Sequence, residues 1–258
     1  MTRVFGLVLL LAALPARAQS PFLELAPFQF GQEAWYATDP GVLGISAVGR
    51  RVVPLHLLLP DVSEDSRFEL LTLKAGVRSA NRDARPAFAV RAVDAFVAKH
   101  PWGGGFTLLA YDRTGPLLVE ADWLAIRGGP ALRFGGFDRA LEVRLMAELA
   151  VSTLGITGGL FVGPSEASFG GRGTGRAEIL ARLSRDAVAS FQTRISAFAG
   201  GEDPQVFSWN AGLTLWPQNS FSLKGSLGRL EVSQDNYLSR SELVAGVSIQ
   251  ITPRNRDF

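Results

Sequence analysis

Between positions 141 and 151, Leu141, Val143, Leu145, Ala147, Leu149 and Val151 take every second place, and Glu142, Arg144 and Glu148 stand between them. A period of two belongs to a β-strand, whose successive side chains leave opposite faces. The alternation recurs through the C-terminal half. Over 175–184, Ala177, Ile179, Ala181 and Leu183 oppose Arg176, Glu178 and Arg182; over 187–199, Phe191, Thr193, Ile195 and Ala197 oppose Ser190, Gln192, Arg194 and Ser196. Further strands are predicted at 205–216, 219–232 and 239–252, with Phe207, Trp209 and Leu213, then Phe221, Leu223 and Leu227, then Leu243, Val247 and Ile249 on one side. Tight turns at 152–153, 184–186 and 217–218 alternate with longer links at 163–174, 200–204 and 233–238. Such a rhythm describes a meander of antiparallel strands with two unlike ends, not a Greek key.

The N-terminal half is less regular. It predicts strands at 42–59, bent near Pro54, and at 67–79, 87–98, 105–112 and 117–126. Residues 131–137 read either as a separate strand or, through a bulge at Gly135 and Gly136, as the start of the strand at 141. Residues 22–36 read as a strand or a lead-in. The strand count is therefore 12, within a range of 10 to 14 and reaching 14 if both open segments are strands. Helical periodicity, sequence repeats and domain boundaries are not evident.

Alternation alone suits a soluble sandwich as well as a membrane barrel. Length separates them, because strands of roughly 10 to 13 residues match a tilted bilayer crossing and globular strands average about 5 or 6. Aromatic residues Trp123, Trp209, Trp216 and Phe221 fall near strand ends, where an interfacial girdle would sit. The aliphatic face then meets lipid, and the charged face, with Glu120, Asp122, Glu142, Arg144, Glu148, Glu178, Arg182, Arg194 and Lys224, lines the lumen. On these features the chain resembles the bacterial outer-membrane β-barrel proteins as a class. The resemblance implies a single antiparallel up-and-down transmembrane β-barrel over 19–258. Such proteins commonly end in an aromatic residue, as this one does at Phe258, although Thr252, Pro253, Arg254 and Arg256 depart from the apolar alternation the class shows before it.

The start of the chain fits export. Arg3 precedes an apolar run from Phe5 to Leu14, much shorter than the roughly 20 residues of a spanning helix, and Ala16-Arg17-Ala18 forms a cleavage site, so residues 1–18 read as a signal peptide. Removing it takes away Arg3 and Arg17 and no acid, leaving 24 basic against 24 acidic residues. A near-neutral chain lacks the basic excess that nucleic-acid binding needs. Cysteine is absent, which excludes disulfides and thiolate metal sites. No later apolar run approaches 18 residues, so a membrane could be spanned only by a closed barrel.

Candidate chemistry is sparse. His56 lies in an apolar strand without an acid or Ser at i±2, and His100 in a Lys-His-Pro-Trp turn; both read as turn or interfacial residues. No metal-ligand spacing and no cofactor motif occurs. The glycine-dense stretch 163–176 lacks the Lys-Ser/Thr and helix of a phosphate cradle and reads as a surface loop, with inward folding to narrow a pore as the alternative. Arginine outnumbers lysine 23 to 3, which suits forked pairing with carboxylates across a lumen. The expected role is a porin-like passive channel or a structural protein of the bacterial outer membrane. Its expected partners are membrane lipid, small solutes if the lumen is open, and further copies of itself in a homo-oligomer. The competing classes are a barrel-embedded lipase- or protease-like enzyme and a secreted soluble all-β binding protein.

Overall fold

The computed structural model describes residues 28–38, 41–80, 83–112, 114, 120–135, 140–152, 170–199, 205–217, 220–234 and 238–251. They form twelve strands: β1 (Phe28–Ala37), β2 (Val42–Pro54), β3 (Arg67–Ala80), β4 (Asp83–Lys99), β5 (Trp102–Asp112), β6 (Glu120–Phe134), β7 (Leu141–Ser152), β8 (Gly170–Ser184), β9 (Ala187–Ala199), β10 (Gln205–Leu215), β11 (Phe221–Gln234) and β12 (Leu238–Ile251). Each strand pairs antiparallel with its chain neighbours, and β1 pairs with β12 to close the sheet into a barrel. Closure removes the unpaired edge rows that an open sheet exposes. The meander is confirmed and the two-sheet sandwich is not formed. We call the end where β1 begins and β12 finishes the near end, and the other the far end.

The total of 12 is reached differently from the sequence expectation. Residues 28–36, left open between strand and lead-in, belong to β1, whereas Ser152, expected in a tight turn with 153, is the last residue of β7 and pairs with Gly170, and 153–169 lie outside the described residues. Residues 131–134 neither stand alone nor begin β7. They extend β6 through Gly128, Gly129 and Pro130, and Gly135 turns the chain with φ +92° instead of forming a bulge. Gly129 can hold that path because a Cβ there would lie 2.0 Å from the Leu145 carbonyl oxygen. The strand expected over 42–59 stops at Pro54, and Leu55–Leu57 form a 3-10 turn. The link expected at 163–174 overlaps the start of β8. Gly170 to Thr174 already pair with 148–152 of β7, and 163–169 lie outside the described residues. The signal peptide and Phe258 lie outside them too.

The two faces of the barrel wall differ in chemistry. Leu149 is 74 % exposed, Ile126 58 % and Ile45 57 % on the outside, whereas Arg172 and Glu148, on the inward parity, are buried. Exposed apolar side chains on nearly every strand would be an aggregation surface in water and are at home against hydrocarbon. The outward pair Arg229–Glu231 (2.9 Å) belongs to the far-end half of β11. Leu149→Arg is expected to lower barrel stability by about 2–4 kcal/mol if Leu149 faces mid-bilayer hydrocarbon. Urea unfolding of liposome-inserted protein measures this, and an unchanged midpoint would mean that the outside is wet.

Candidate functional site

The interior is two unlike halves. Along β3 to β8 it is filled. On the near-end side Phe96, Ala98, Ala131 and Met146 pack together inside the barrel, and a Cβ on Gly103 would already touch the Met146 methyl at 3.0 Å. The guanidinium groups of Arg127 and Arg144 lie 5.5 and 5.0 Å from the Phe96 ring centre, so this apolar knot merges into ion pairs.

Among the described residues three networks make up most of the charged part, with a separate Lys74–Glu33 pair (2.9 Å) beside them. Arg127 donates to Asp94 (2.8 Å) and to the Thr107 hydroxyl (3.0 Å), and Arg67 joins Glu69 (2.7 Å), which also meets Arg50 (3.4 Å). Toward the far end, Arg172 donates to Glu148 (2.7 Å), to Asp122 and to the Thr174 hydroxyl (3.2 Å). Toward the near end, Arg144 donates to Glu142 (2.9 Å), to Glu178 (3.1 Å) and to Asp65. Buried charges are tolerated only when paired in this way, and the planar fork of arginine makes several such bonds at once.

Asp65 belongs to the connection between β2 and β3, which crosses the near mouth. Its base is tied by Leu55 N–H to the Ser66 carbonyl (2.8 Å) and by Ser63 N–H to the Ala98 carbonyl (2.7 Å). From there Ser63 donates to Glu142 (3.1 Å), and Glu64 accepts from Arg182 of β8. The segment thus spans from the β2–β3 side to β7 and β8. At the far end the Trp35 indole turns inward, packs with Val42, Leu230 and Val232, lies flat on Gly44 and donates to the Thr114 carbonyl (2.8 Å).

Open space runs instead along β8 to β12. One compartment of about 390 Å³ is bounded by Arg176, Gln192, Arg194, Ser208 and Asn210. A second of about 830 Å³ lies below it, with Glu64, Asp65, Glu178, Arg182, Thr214, Lys224 and Gln250 in its wall. Gln192 and Asn210 border both, so the two are adjacent. Amides and hydroxyls such as Gln192, Ser190, Asn210 and Thr214 alternate in this wall with charged side chains of both signs.

Of the residues singled out from sequence, Asp122, Glu142, Arg144, Glu148, Glu178 and Arg182 enter ion pairs. Arg194 donates to Ser196 (3.2 Å), and Lys224 borders the larger compartment with no ion-pair partner among the described residues. Glu120 opens β6, but its side chain is not among the described ones. Trp123, Trp216 and Phe221 are exposed on the outside, the last two with ring centres 6.2 Å apart at the near end, and Trp209 stacks on Phe191 at 6.4 Å. Sequence reading passed over Arg50, Arg67, Glu69, Asp94 and Arg127, which fall in the less regular N-terminal half where register shifts interrupt β2–β3 and β6–β7, and over Arg172 because 163–174 read as a link. It also missed 60–66, whose signal was Pro54, Pro60 and the loss of alternation between them. Of the stretch 163–176, offered as a surface loop or a pore-narrowing one, residues 163–169 lie outside the described residues; among the described ones it is the β2–β3 connection that crosses the near mouth. His56 borders the larger compartment with an unpartnered Nδ1, and His100 precedes Pro101 in the β4–β5 turn.

No protein-family pattern and no curated protein sequence matches the chain. Among solved structures it is similar to an outer membrane channel from Pseudomonas putida F1, with 10 % identity, a TM-score of 0.56, and coverage of 93 % of this chain and 99 % of that one. A bacterial polysaccharide outer membrane secretin aligns at 9 % identity and TM-score 0.46, covering 90 % and 99 % of the two chains. The CymD monoaromatic hydrocarbon channel aligns at 8 % identity and TM-score 0.44, covering 89 % of each. At these identities the first match supports the barrel fold.

Proposed function

We propose that the chain is a passive channel for small hydrophilic solutes in a bacterial outer membrane. The observation that carries this reading is the pair of adjacent compartments inside a closed barrel whose other half is largely filled. An apolar exterior places the barrel in hydrocarbon, and a lumen half filled by ion pairs leaves one eccentric route along β8 to β12. The near end, with short turns such as 185–186, faces the periplasm, and the far end, with the long 153–169 connection, faces outward.

The interior charges divide by role in this reading. Arg144, Arg182, Glu142, Glu148, Glu178 and Asp122 hold the filled half together, whereas Arg194 and Lys224 face the route and bias which ions pass. The Pseudomonas putida F1 structure it resembles in fold is an outer membrane channel, which favours transport over the lipase- or protease-like alternative. A purely structural role is favoured by one observation, the β2–β3 connection across the near mouth.

Planar-bilayer recording of folded protein decides between them. Discrete conductance steps, small for a barrel of twelve strands, are the expected result. Silent bilayers from protein that migrates as a folded, heat-modifiable species would overturn the channel and leave the structural role.

A further inference from the structure

Among the described residues, a layer of apolar side chains crosses the far end of the route. Val42, the first residue of β2, is fully buried, and Trp35 of β1 and Leu230 and Val232 of β11 pack against it. Because β1 and β12 separate β2 from β11 in the ring, this contact bridges the inside of the mouth and does not join register partners. Ala37, the register partner of Val42, is also fully buried and is short enough to let the bridge pass over it. Val206 of β10, 2 % exposed, stands opposite Val232 and carries the layer on toward β9. Trp35 backs it. Its indole covers Gly44, where a Cβ would come within 2.2 Å of the ring, and its N–H is fixed by the Thr114 carbonyl (2.8 Å). Thr114 is held in turn by Asp112, which accepts from its backbone N–H (2.8 Å) and its hydroxyl (2.6 Å).

Two kinds of contact therefore occupy the far level. On the β6 to β9 side it is polar: Ser196, the register partner of Val206 on β9, bonds the Thr174 hydroxyl (3.0 Å), which lies beside the Arg172–Glu148 and Arg172–Asp122 pairs. Parting that side strips buried charges of their partners, which is costly. On the β10 to β2 side the contact is apolar and has no directional bond to break. Leu230 also borders the 390 Å³ compartment, so the apolar side is the ceiling of the route. Water in a narrow passage walled by valine and leucine forgoes hydrogen bonds, and an ion there sheds part of its hydration.

We propose that Val42, Val206, Leu230 and Val232, backed by Trp35, form an apolar seal at the far end of the route, dry while Val42 touches β11 and conducting only when that contact parts. The inference rests on the channel reading and supplies its regulation. The seal sets how often the route is filled with water, and the β2–β3 connection at the near mouth sets how wide the filled route is. The two ends thus act on different observables, the open fraction and the step size. A dry apolar passage also penalises strongly hydrated ions more than small uncharged solutes.

Two readouts on the folded full-length protein test this. In planar bilayers, Leu230→Ser with Val232→Ser is expected to raise the open fraction about tenfold or more while the step size stays near the parent's. Leu230→Ala with Val232→Ala, which introduces no hydroxyl, is expected to act in the same direction and serves if the serine pair does not give the heat-modifiable folded species. The second readout needs no conduction. The chain contains no cysteine, so an introduced thiol is unique. In detergent micelles, Val206→Cys is expected to react with a charged thiol reagent about tenfold or more slowly than Gln205→Cys, its exposed neighbour on the opposite face, and the Leu230 and Val232 substitutions are expected to remove most of that difference. An open fraction unchanged in the folded variants, or Val206→Cys reacting as fast as Gln205→Cys in an otherwise parental chain, overturns the seal. Silent bilayers with slow labelling that the substitutions accelerate remove the channel and keep the seal, whereas conductance steps with fast labelling do the opposite.

Discussion

Arg144→Glu is expected to abolish barrel assembly at neutral pH. Arg144 is 5 % exposed and holds three carboxylates, Glu142, Glu178 and Asp65, while its guanidinium lies against Phe96. Removing one member of a buried ion pair typically costs about 3–5 kcal/mol, because the partner is left charged and unsolvated. Here the substitution also adds a fourth negative charge to the cluster. The cost then approaches the whole stability of an ordinary domain, about 5–15 kcal/mol. Heat-modifiable migration after refolding into micelles reads the folded fraction directly. Arg144→Lys, which keeps the charge but loses the fork, should fold in reduced yield. A variant that folds at parental yield and merely shifts ion preference would show that Arg144 lines an aqueous ring, as its position in the alternation first suggests, and not a packed network.

The second large effect is on conduction. Glu64→Gln combined with Asp65→Asn is expected to raise single-channel conductance severalfold without loss of folding. These two carboxylates fasten the β2–β3 connection to Arg182 and Arg144 across the near mouth. Hydrogen bonds to charged groups contribute about 1.5–3 kcal/mol each, and the amide replacements weaken two of them at once. The base of the segment keeps its backbone ties at Leu55 and Ser63, so only its crossing part is released. Arg144 meanwhile retains Glu142 and Glu178, which is why this variant folds where Arg144→Glu does not. Conductance equal to the parent in planar bilayers would mean that the segment does not narrow the route.

Both experiments concern contacts that local pattern could not reveal. Alternation identified Glu142, Arg144 and Glu148 as sharing a face, and that was sound because side-chain direction along a strand depends only on the residue's own backbone. It could not tell whether that face was wet or packed. Arg144 and Asp65 are 79 residues apart, and Arg182 and Glu64 are 118 apart, so their meeting depends on barrel closure and on the path of one connection. The same limit explains 131–134. Nothing in Gly128-Gly129-Pro130 distinguishes a break from a strand that continues with no Cβ at Gly129 to strike the neighbouring carbonyl.

The amino-acid order alone determined the class of element, the approximate strand positions and the apolar outer face, since each follows from a two-residue period and from side-chain chemistry read in place. Tertiary structure alone decided that β1 completes the ring, that half the lumen is filled by arginine–carboxylate networks, and that open space survives along β8 to β12. Those outcomes turn on which inward side chains reach one another across the barrel, and that distance is set by strand register and ring closure, not by neighbours in the chain.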